Sequence, residues 1–557
     1  MIQPLRAVKT YRRVKRYRQV TFTLARYGFG DIADRIGFSG LLRRGLKGEV
    51  QSAVSPTPQR IRIALTELGP TFVKFGQLLS TRPDILPARY IQELEKLQDE
   101  VAPFPIADVR TIFEEEQKNV PEKLFKTFQE KPYASGSIAQ VHKAQLPSGE
   151  WIAVKVQRPG IQRVIETDLA ILSDLAGLIE RHVPELRWIQ PSDLVDQFGR
   201  TIRRELDFVA EAQSIERFRH NFRGDTTRFI PAVHWDYTSP RVLTTDWVDG
   251  VKITNVEELE KRGFDRREVA RNGARAILKE VFEHRLFHAD PHPGNFFVIA
   301  NNAIATVDFG IVGRLDDETA DQLGLLLASL TDRDADGVLQ VFKDLNLLNE
   351  EVDESLLKFD IEEFIDRYYG LPLYRLDLQT VINSLLEMVR RHRIILPMNL
   401  ALLGRMLAVA SGVGRTLDPE FNIVEEAMPF VRSFAWRQAD PRRSARKFLK
   451  VWRQYQEMLQ TLPEDIEDII AKLKKGELIV SLQHEGLTRL ILEIDRSTNR
   501  IAFALIVAAL IVGSSLIVHL RQGPSVLGLP ALGVVGYLIA GFLGLWLVIA
   551  ILRSGRI

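Results

Sequence analysis

The sequence predicts an α+β protein built as two lobes, with a helical extension in front and an apolar helical hairpin behind. Three observations carry this expectation. Residues 49–130 place apolar side chains at three- and four-residue spacing, as in "RIRIALTEL", and are broken by prolines, which is a helical texture. Near residue 133 the pattern changes to alternation. "SIAQVHKAQLPSGEWIAVKVQRPG" reads as two strands joined at Pro147-Ser148-Gly149, and "FIPAVHWDYTSPRVLTTDWVDG" as two more. Helical spacing returns from Gln162 to Phe222 and again up to Phe282. After a short strand, "AIATVDFG", it continues to about residue 490. Helices, a small antiparallel sheet and then mostly helices make a two-lobed plan.

The chain divides into six segments. Residues 1–48 are a basic amphipathic segment suited to a membrane surface, and 49–130 a helical extension. Residues 131–250 form a strand-rich lobe, 251–435 a helical lobe and 436–500 a helical linker. Residues 501–552 hold two apolar helices.

A chain of 557 residues with 45% hydrophobic and 26% charged side chains can build a sizeable core. Its net charge of +2 argues against a dedicated nucleic-acid binder. It has no cysteine, which removes disulfides, thiolate catalysis and Cys-ligated zinc.

Charge is uneven. Residues 1–48 carry twelve Lys and Arg against two Asp, mixed with Tyr, Val, Leu and Phe. This fits a solvated helix or a helix lying on an anionic membrane. At the other end, Ile501–Leu520 has His519 as its only titratable group, and Pro530–Leu552 only Tyr537. Each is long enough to cross a hydrocarbon core of ~30 Å. Gly536, Ala540 and Gly544 form a small-xxx-small ridge, with Ala509 and Gly513 as a partner face, so the hairpin could also pair chains into a dimer. Arg489, Arg496 and Arg500 precede the hairpin, Arg553 and Arg556 come after it, and only Arg521 lies in the turn. The positive-inside rule then puts both flanks, and the body of the chain, in the cytoplasm.

The chemistry gathers around "FHADPHPGNFFV" and "TVDFGIVGR". Asp308 ends a strand and is followed by Phe309-Gly310; Asp290 lies eighteen positions earlier, with Asn295 five beyond it. An Asp-x4-Asn pair upstream of a strand ending in Asp-Phe-Gly is the metal and phosphate machinery of protein-kinase-like folds. Asp308 and Asn295 suit Mg²⁺, which takes hard oxygen ligands, and Asp290 can take a proton from the attacking hydroxyl or water. Lys155, in the alternating run "WIAVKVQRP", would hold the α/β phosphates of ATP, and Glu211 would fix it, with Glu205 and Asp207 close by. His288 and His292 would orient the loop. A His-ligated zinc site is the rival, but no helix places two His on one face here.

The segments "ELGPTFVKFGQLLSTRPDILP", "ASGSIAQVHKA", "VKVQRPG", "FHADPHPGNFFV" and "DFGIVGRL" together resemble the UbiB family of kinase-like ATPases, over about residues 55–435. Lys74-Phe75-Gly76-Gln77 matches that family's KxGQ signature and Glu205-Leu206-Asp207 its ExD signature. The two C-terminal spans are similar to those of bacterial members, which implies an inner-membrane protein. The resemblance implies that the Lys74/Gln77 helix folds over the active site and contacts Glu205 and Asp207. It also implies that the loop Ala134-Ser135-Gly136-Ser137 replaces the glycine-rich phosphate loop. The family has alanine where this chain has Gly136. Thr245 and Asp246 fall at the gatekeeper and hinge, where backbone groups would bind adenine. The chain goes from Asp-Phe-Gly almost directly into a helix capped by Asp316, and Ala289 replaces the usual Arg before the catalytic Asp. Both absences argue against a protein substrate.

The expectation is a membrane-anchored, Mg²⁺-dependent ATPase or kinase supporting isoprenoid quinone biosynthesis, chiefly ubiquinone. Membrane lipids, quinone precursors and quinone-biosynthesis enzymes are its expected partners; the quinone link is implied by the family alone. A small-molecule or lipid kinase and a nucleotide-gated lipid-binding scaffold without catalysis are the alternatives.

Overall fold

The computed structural model describes residues 3–29, 57–97, 101–290, 292–349, 352–368, 378–438, 487–520, 524–526 and 529–553. The chain divides into two compact units, Met1–Ser444 and Ala445–Ile557. Most of the expected linker (439–486), Arg521 of the turn and Arg556 lie outside the described residues.

In the first unit, helix α1 (Gln3–Leu24) is followed by the extension: α2 (Pro58–Leu68), α3 (Pro70–Ser80) and α4 (Ala88–Leu94). Gly69, at φ +95°, breaks α2 from α3, and Pro70 starts the new helix where its missing N–H costs nothing. Gly76 lets α3 approach its neighbours: a Cβ there would stand 2.7 Å from Leu65 and strike Leu97. Helix α5 (Ile106–Gln117) comes next in the chain. Leu65, Leu68, Phe72, Leu94 and Leu97 pack with α6 (Ile161–His182) and α7 (Pro191–Glu205) in one core. The basic helix α1 is docked on that core. Val20 is fully buried, Arg16 binds Asp168 and the Leu68 carbonyl, and Arg13 binds Asp174. Part of its charge therefore serves the protein's own fold, while Val14 and Phe22 remain exposed.

The small lobe is an antiparallel sheet in the order β1 (Thr127–Phe128), β3 (Ala139–Gln145), β4 (Trp151–Gln157), β6 (Val242–Asp246), with β2 (Ala134–Ser135) paired to β3. Alternation sets its two faces. Ile152, Val154, Val156 and Val242 pack under α5 with Phe113 and Phe125. Lys155 and Ala153, opposite Leu243 and Thr245, point the other way. Helix α8 (Phe208–Asn221) lies on that second side.

One of the strands read from sequence joins the other lobe. Arg228–Phe229 (β5) pairs in parallel with β10 (Ala303–Thr306), in the order β5–β10–β9 (Phe296–Ile299)–β7 (Val251–Lys252). Beside this sheet, β8 (Leu286–His288) pairs with β11 (Val312–Arg314). Helix α9 (Arg266–Phe282) leads into β8, and α10 (Asp317–Thr331) comes after β11, capped by Asp316 Oδ1 on the Thr319 N–H. Helices α11 (Ala335–Asp344), α12 (Glu354–Tyr368), α13 (Leu378–Arg391), α14 (Met398–Leu417) and α15 (Ile423–Gln438) complete the lobe.

In the second unit, α16 (Leu487–Leu520) and α17 (Ala531–Arg553) pack against each other, with Ser515 and Tyr537 hydroxyls 2.5 Å apart. By length and composition, Ile501–His519 and Met398–Leu417 could each cross a membrane, and Ala531–Leu547 is a shorter apolar stretch. Met398–Leu417 packs into the large lobe: Leu402, Leu403 and Met406 are buried against Phe287 and Leu315. The hairpin differs, because its large apolar side chains face outward, Leu505 at 65% and Phe542 at 71% exposure.

Candidate active site

The side chain of Lys155 leaves β4 toward α8, where its Nζ lies 2.8 and 2.9 Å from the two carboxylate oxygens of Glu211. Asp308 Oδ2 is 3.8 Å from the same Nζ. Glu211 is buried one turn into α8, whose start is fixed by Asp207: its Oδ1 accepts from the N–H groups of Val209 and Ala210. The Asp of the ExD signature is therefore a helix cap, a role that Ser, Thr, Asn and Asp fill equally in sequence. Glu205 is the last residue of α7, at the break between the helices.

Asp308 is held by its two neighbours, Phe309 and Gly310. Its Oδ1 accepts from the Gly310 N–H at 2.9 Å, and Phe309 is fully buried with Phe208, Ala212, Ile215 and Phe218. Burying such a ring is worth about 1.5–3 kcal/mol, enough to hold the turn inward. Burial pushes the Asp308 carboxyl up, but the Lys155 ammonium and the Gly310 N–H outweigh it and hold it at about 2. Glu211 goes the other way: burial lifts it to about 7 against the pull of Lys155. Burial alone would lower Lys155, yet Asp308 and Glu211 hold its ammonium above the usual lysine range.

The register of β9 and β10 brings Asn295 beside the strand end that carries Asp308. Phe296 faces Thr306, and Val307 donates its N–H to the Asn295 carbonyl at 3.2 Å. The Asn295 amide nitrogen lies 3.3 Å from Asp290 Oδ2, which turns its amide oxygen away from that carboxylate. His288 Nε2 donates to the Asp308 carbonyl, and His292 Nδ1 accepts the Gly294 N–H at 3.1 Å, so both histidines fix the loop. Among the described residues no group of three His, Asp or Glu side chains is assembled as a metal cluster.

The extension reaches the same point. Lys74 Nζ is 2.5 Å from Glu205 Oε1, and a Cβ on Gly310 would lie 3.4 Å from Glu205 Cγ. The Gln77 amide donates to the Leu97 carbonyl at 3.1 Å and fixes the end of the extension. At the hinge, Thr245 pairs with Ala153 in the sheet. Asp246 gives its N–H to the Ala232 carbonyl, while its carboxylate takes the Ala232 N–H and sits 2.9 Å from His234 Nε2. The Asp246 N–H is thus taken up within the protein, because residues 232–234 pair along this edge. In the phosphate loop, Gly136 donates its N–H to the Ala139 carbonyl, and its own carbonyl accepts from Arg158 at 3.0 Å. The Ser135 hydroxyl is buried without a partner. Ser137 is buried.

Sequence reasoning assigned no role to two buried ion pairs. Arg82 and Asp84 bond at 2.9 and 2.6 Å, and both also bond the backbone of Leu396, clamping the extension to the large lobe. Arg228 pairs with Glu280 at 2.8 Å, and Glu280 also accepts the His288 N–H, so the loop of Asp290 hangs from a buried pair. Arg82 and Asp84 stand two apart in "RPD", a local sign of the first pair; nothing local marks the second.

Comparison with known proteins shows the family. Residues 96–342 match the ABC1 atypical kinase-like domain, 361–422 the UbiB helical domain and 485–553 the ABC1/UbiB kinase-like C-terminal domain. An uncharacterised protein from the hydrogenase 1 5′ region of Clostridium pasteurianum is 32% identical over 98% of this chain and 100% of its own. A probable protein kinase UbiB of Marinobacter nauticus is 34% identical over 75% of this chain and 77% of its own. The solved structure of an Rv3197–erythromycin complex from Mycobacterium tuberculosis aligns with 73% of this chain and 99% of its own, at 21% identity and a TM-score of 0.46. A strand lysine fixed by a helix glutamate, an Asp-Phe-Gly turn and the KxGQ helix at Glu205 thus stand in a chain that belongs to the ABC1/UbiB family of atypical kinase-like proteins.

Proposed function

We propose that this protein binds a magnesium–adenine nucleotide between its lobes and turns it over at a membrane, in support of isoprenoid quinone biosynthesis, chiefly that of ubiquinone. The observation that carries this reading is the grouping of Lys155, Glu211 and Asp308 within 3.8 Å of one ammonium. The residues fit the cofactor. Asp308 is held ionised with its second oxygen toward the cleft, and the Asn295 amide oxygen is turned away from Asp290. These are the hard oxygen donors that Mg²⁺ takes together with nucleotide phosphates. Magnesium bound there would neutralise phosphate charge that Asp290 and Asp308 alone would repel. Lys155 then holds phosphate oxygens, Ala134–Ser137 cover them, and Asp290 holds the proton of the attacking hydroxyl or water.

The acceptor is not a folded protein on this reading. Only six residues separate Gly310 from α10, so no long segment exists to dock a peptide, and Lys74 of α3 is bound to Glu205 beside the Gly310 turn. The outward apolar faces of α16 and α17 support a membrane hairpin, and the exposed Val14 and Phe22 of α1 support a surface contact. The arginine distribution supports a cytoplasmic catalytic body. A membrane site suits a quinone precursor, which is itself buried in lipid.

The test is ATP turnover by the full-length protein with anionic liposomes and a phenolic quinone precursor. Turnover should rise with both and vanish in Asp308→Asn. Equal turnover in the two proteins would end the proposal.

A further inference from the structure

The stretch that leaves the extension is bonded to the phosphate loop. Gln77 of α3 holds the Leu97 carbonyl, and further along Val101 donates its N–H to the Ser135 carbonyl at 3.3 Å. Phe104 is buried in the small-lobe core with Phe113 and Phe125. The buried Gln140 amide of β3 pairs with the Phe104 backbone much as a strand would. Its Oε1 accepts the Phe104 N–H at 3.0 Å, and its Nε2 donates to the Phe104 carbonyl at 3.4 Å. Residues 101–104 are thus fixed to the strands and loop that cover the nucleotide cleft.

Arg158 closes this link. It comes directly after β4, the strand of Lys155, and its backbone N–H donates to the Ile138 carbonyl at 2.7 Å. One nitrogen of its side chain, Nη2, lies 3.1 Å from the Ala102 carbonyl and 3.0 Å from the Gly136 carbonyl. That nitrogen carries two hydrogens, one for each acceptor. The guanidinium also lies 5.2 Å from the Phe104 ring. Among the described residues no carboxylate pairs with Arg158, and burial lowers its pKa. Its contacts are the two backbones it joins and the ring beneath them.

We infer that Arg158 is a positioning residue that couples the phosphate loop to helix α3 of the extension. A trans peptide turns as one plane, with its C=O and N–H opposed. Pinning the Gly136 carbonyl therefore sets the direction of the Ser137 N–H, the kind of group that cradles phosphate in such loops. Movement of α3 reaches this peptide through Leu97 and residues 101–104. The inference rests on the proposed nucleotide site for what the loop holds, while the coupling itself can be measured without nucleotide.

The test is hydrogen exchange on the full-length protein in lipid nanodiscs, in two arms. In the first, without nucleotide, Lys74→Ala should speed exchange across residues 134–139 about threefold. Arg158→Met should speed the same residues, and Lys74→Ala should add nothing in that background. Arg158 is half-buried, and Met keeps an apolar stem over Phe104 while water takes the two carbonyls, so the fold survives. If this variant fails to fold, Val101→Pro takes its place, because it deletes the N–H on Ser135 at a position 40% exposed. No change across 134–139 in Lys74→Ala, or the same added increase in both backgrounds, overturns the coupling. The second arm adds ATP and Mg²⁺. In the wild type, residues 134–139 and 70–80 should slow together; in Arg158→Met, only 134–139 should slow. Protection of 134–139 alone in the wild type, or of both stretches in the variant, also overturns the coupling. No protection at all in the wild type ends the nucleotide reading and leaves the first arm to decide the coupling.

Discussion

The Nζ of Lys74 lies 2.5 Å from Oε1 of Glu205, joining the front of the chain to a helix end 131 positions later. Both side chains are about 15% exposed, and Glu205 borders the Gly310 turn. The extension is thereby tied to the site rather than resting on it, and Arg82–Asp84 holds its far end to Leu396.

Lys74→Ala should therefore loosen α3 without unfolding the lobes. Hydrogen exchange should rise across residues 70–80 and stay unchanged across 335–344. A double-mutant cycle of Lys74 and Glu205 should give a coupling of about 1 kcal/mol or more, above the range of an exposed pair.

Glu211→Gln removes the carboxylate that holds Lys155. Stability should fall by about 1.5–3 kcal/mol in denaturant titration, the worth of hydrogen bonds to a charged group. Adenine-nucleotide affinity should fall as well, because the ammonium is no longer fixed.

Glu280→Gln should cost more, about 3–5 kcal/mol, because it leaves Arg228 as an unpaired buried charge. The same change should raise exchange at the His288 amide, which Glu280 accepts.

Gly136→Ala should be tolerated, because Gly136 is not among the positive-φ glycines and its loop does not need glycine's freedom. The expected gain is about 0.4–1 kcal/mol from a less flexible unfolded chain, read as a small rise in melting temperature.

Acid should expose the Asp308 interaction. Folding lowers its pKa from 3.8 to about 2, so the folded protein binds this proton less tightly than the unfolded chain. The stabilisation is fully present above about pH 4 and is lost as pH falls through about 2. Asp308→Asn should flatten the acid limb of a stability–pH curve relative to the wild type.

Much of the site could be read in the chain because its parts are local. The alternation around Lys155, the Asp290–Asn295 spacing and the Asp-Phe-Gly turn each lie within a few residues. The features that could not be read depend on partners far away. Arg228–Phe229 reads as a strand in either lobe, and only β10 decides which. Glu280 is one of many helix glutamates until Arg228 and His288 meet it. The charges of α1 look like those of any solvated helix until Asp168 and Asp174 take two of them. That the Asp246 carboxylate meets His234 and the Ala232 N–H depends on residues 232–234 folding back along this edge.

The most direct measurement is calorimetric titration of ATP into the full-length protein, with and without Mg²⁺, for the wild type and Asp308→Asn. The account predicts uptake of one nucleotide that needs magnesium in the wild type, and loss of that dependence in the variant. No uptake, or uptake that ignores both magnesium and the substitution, would contradict it.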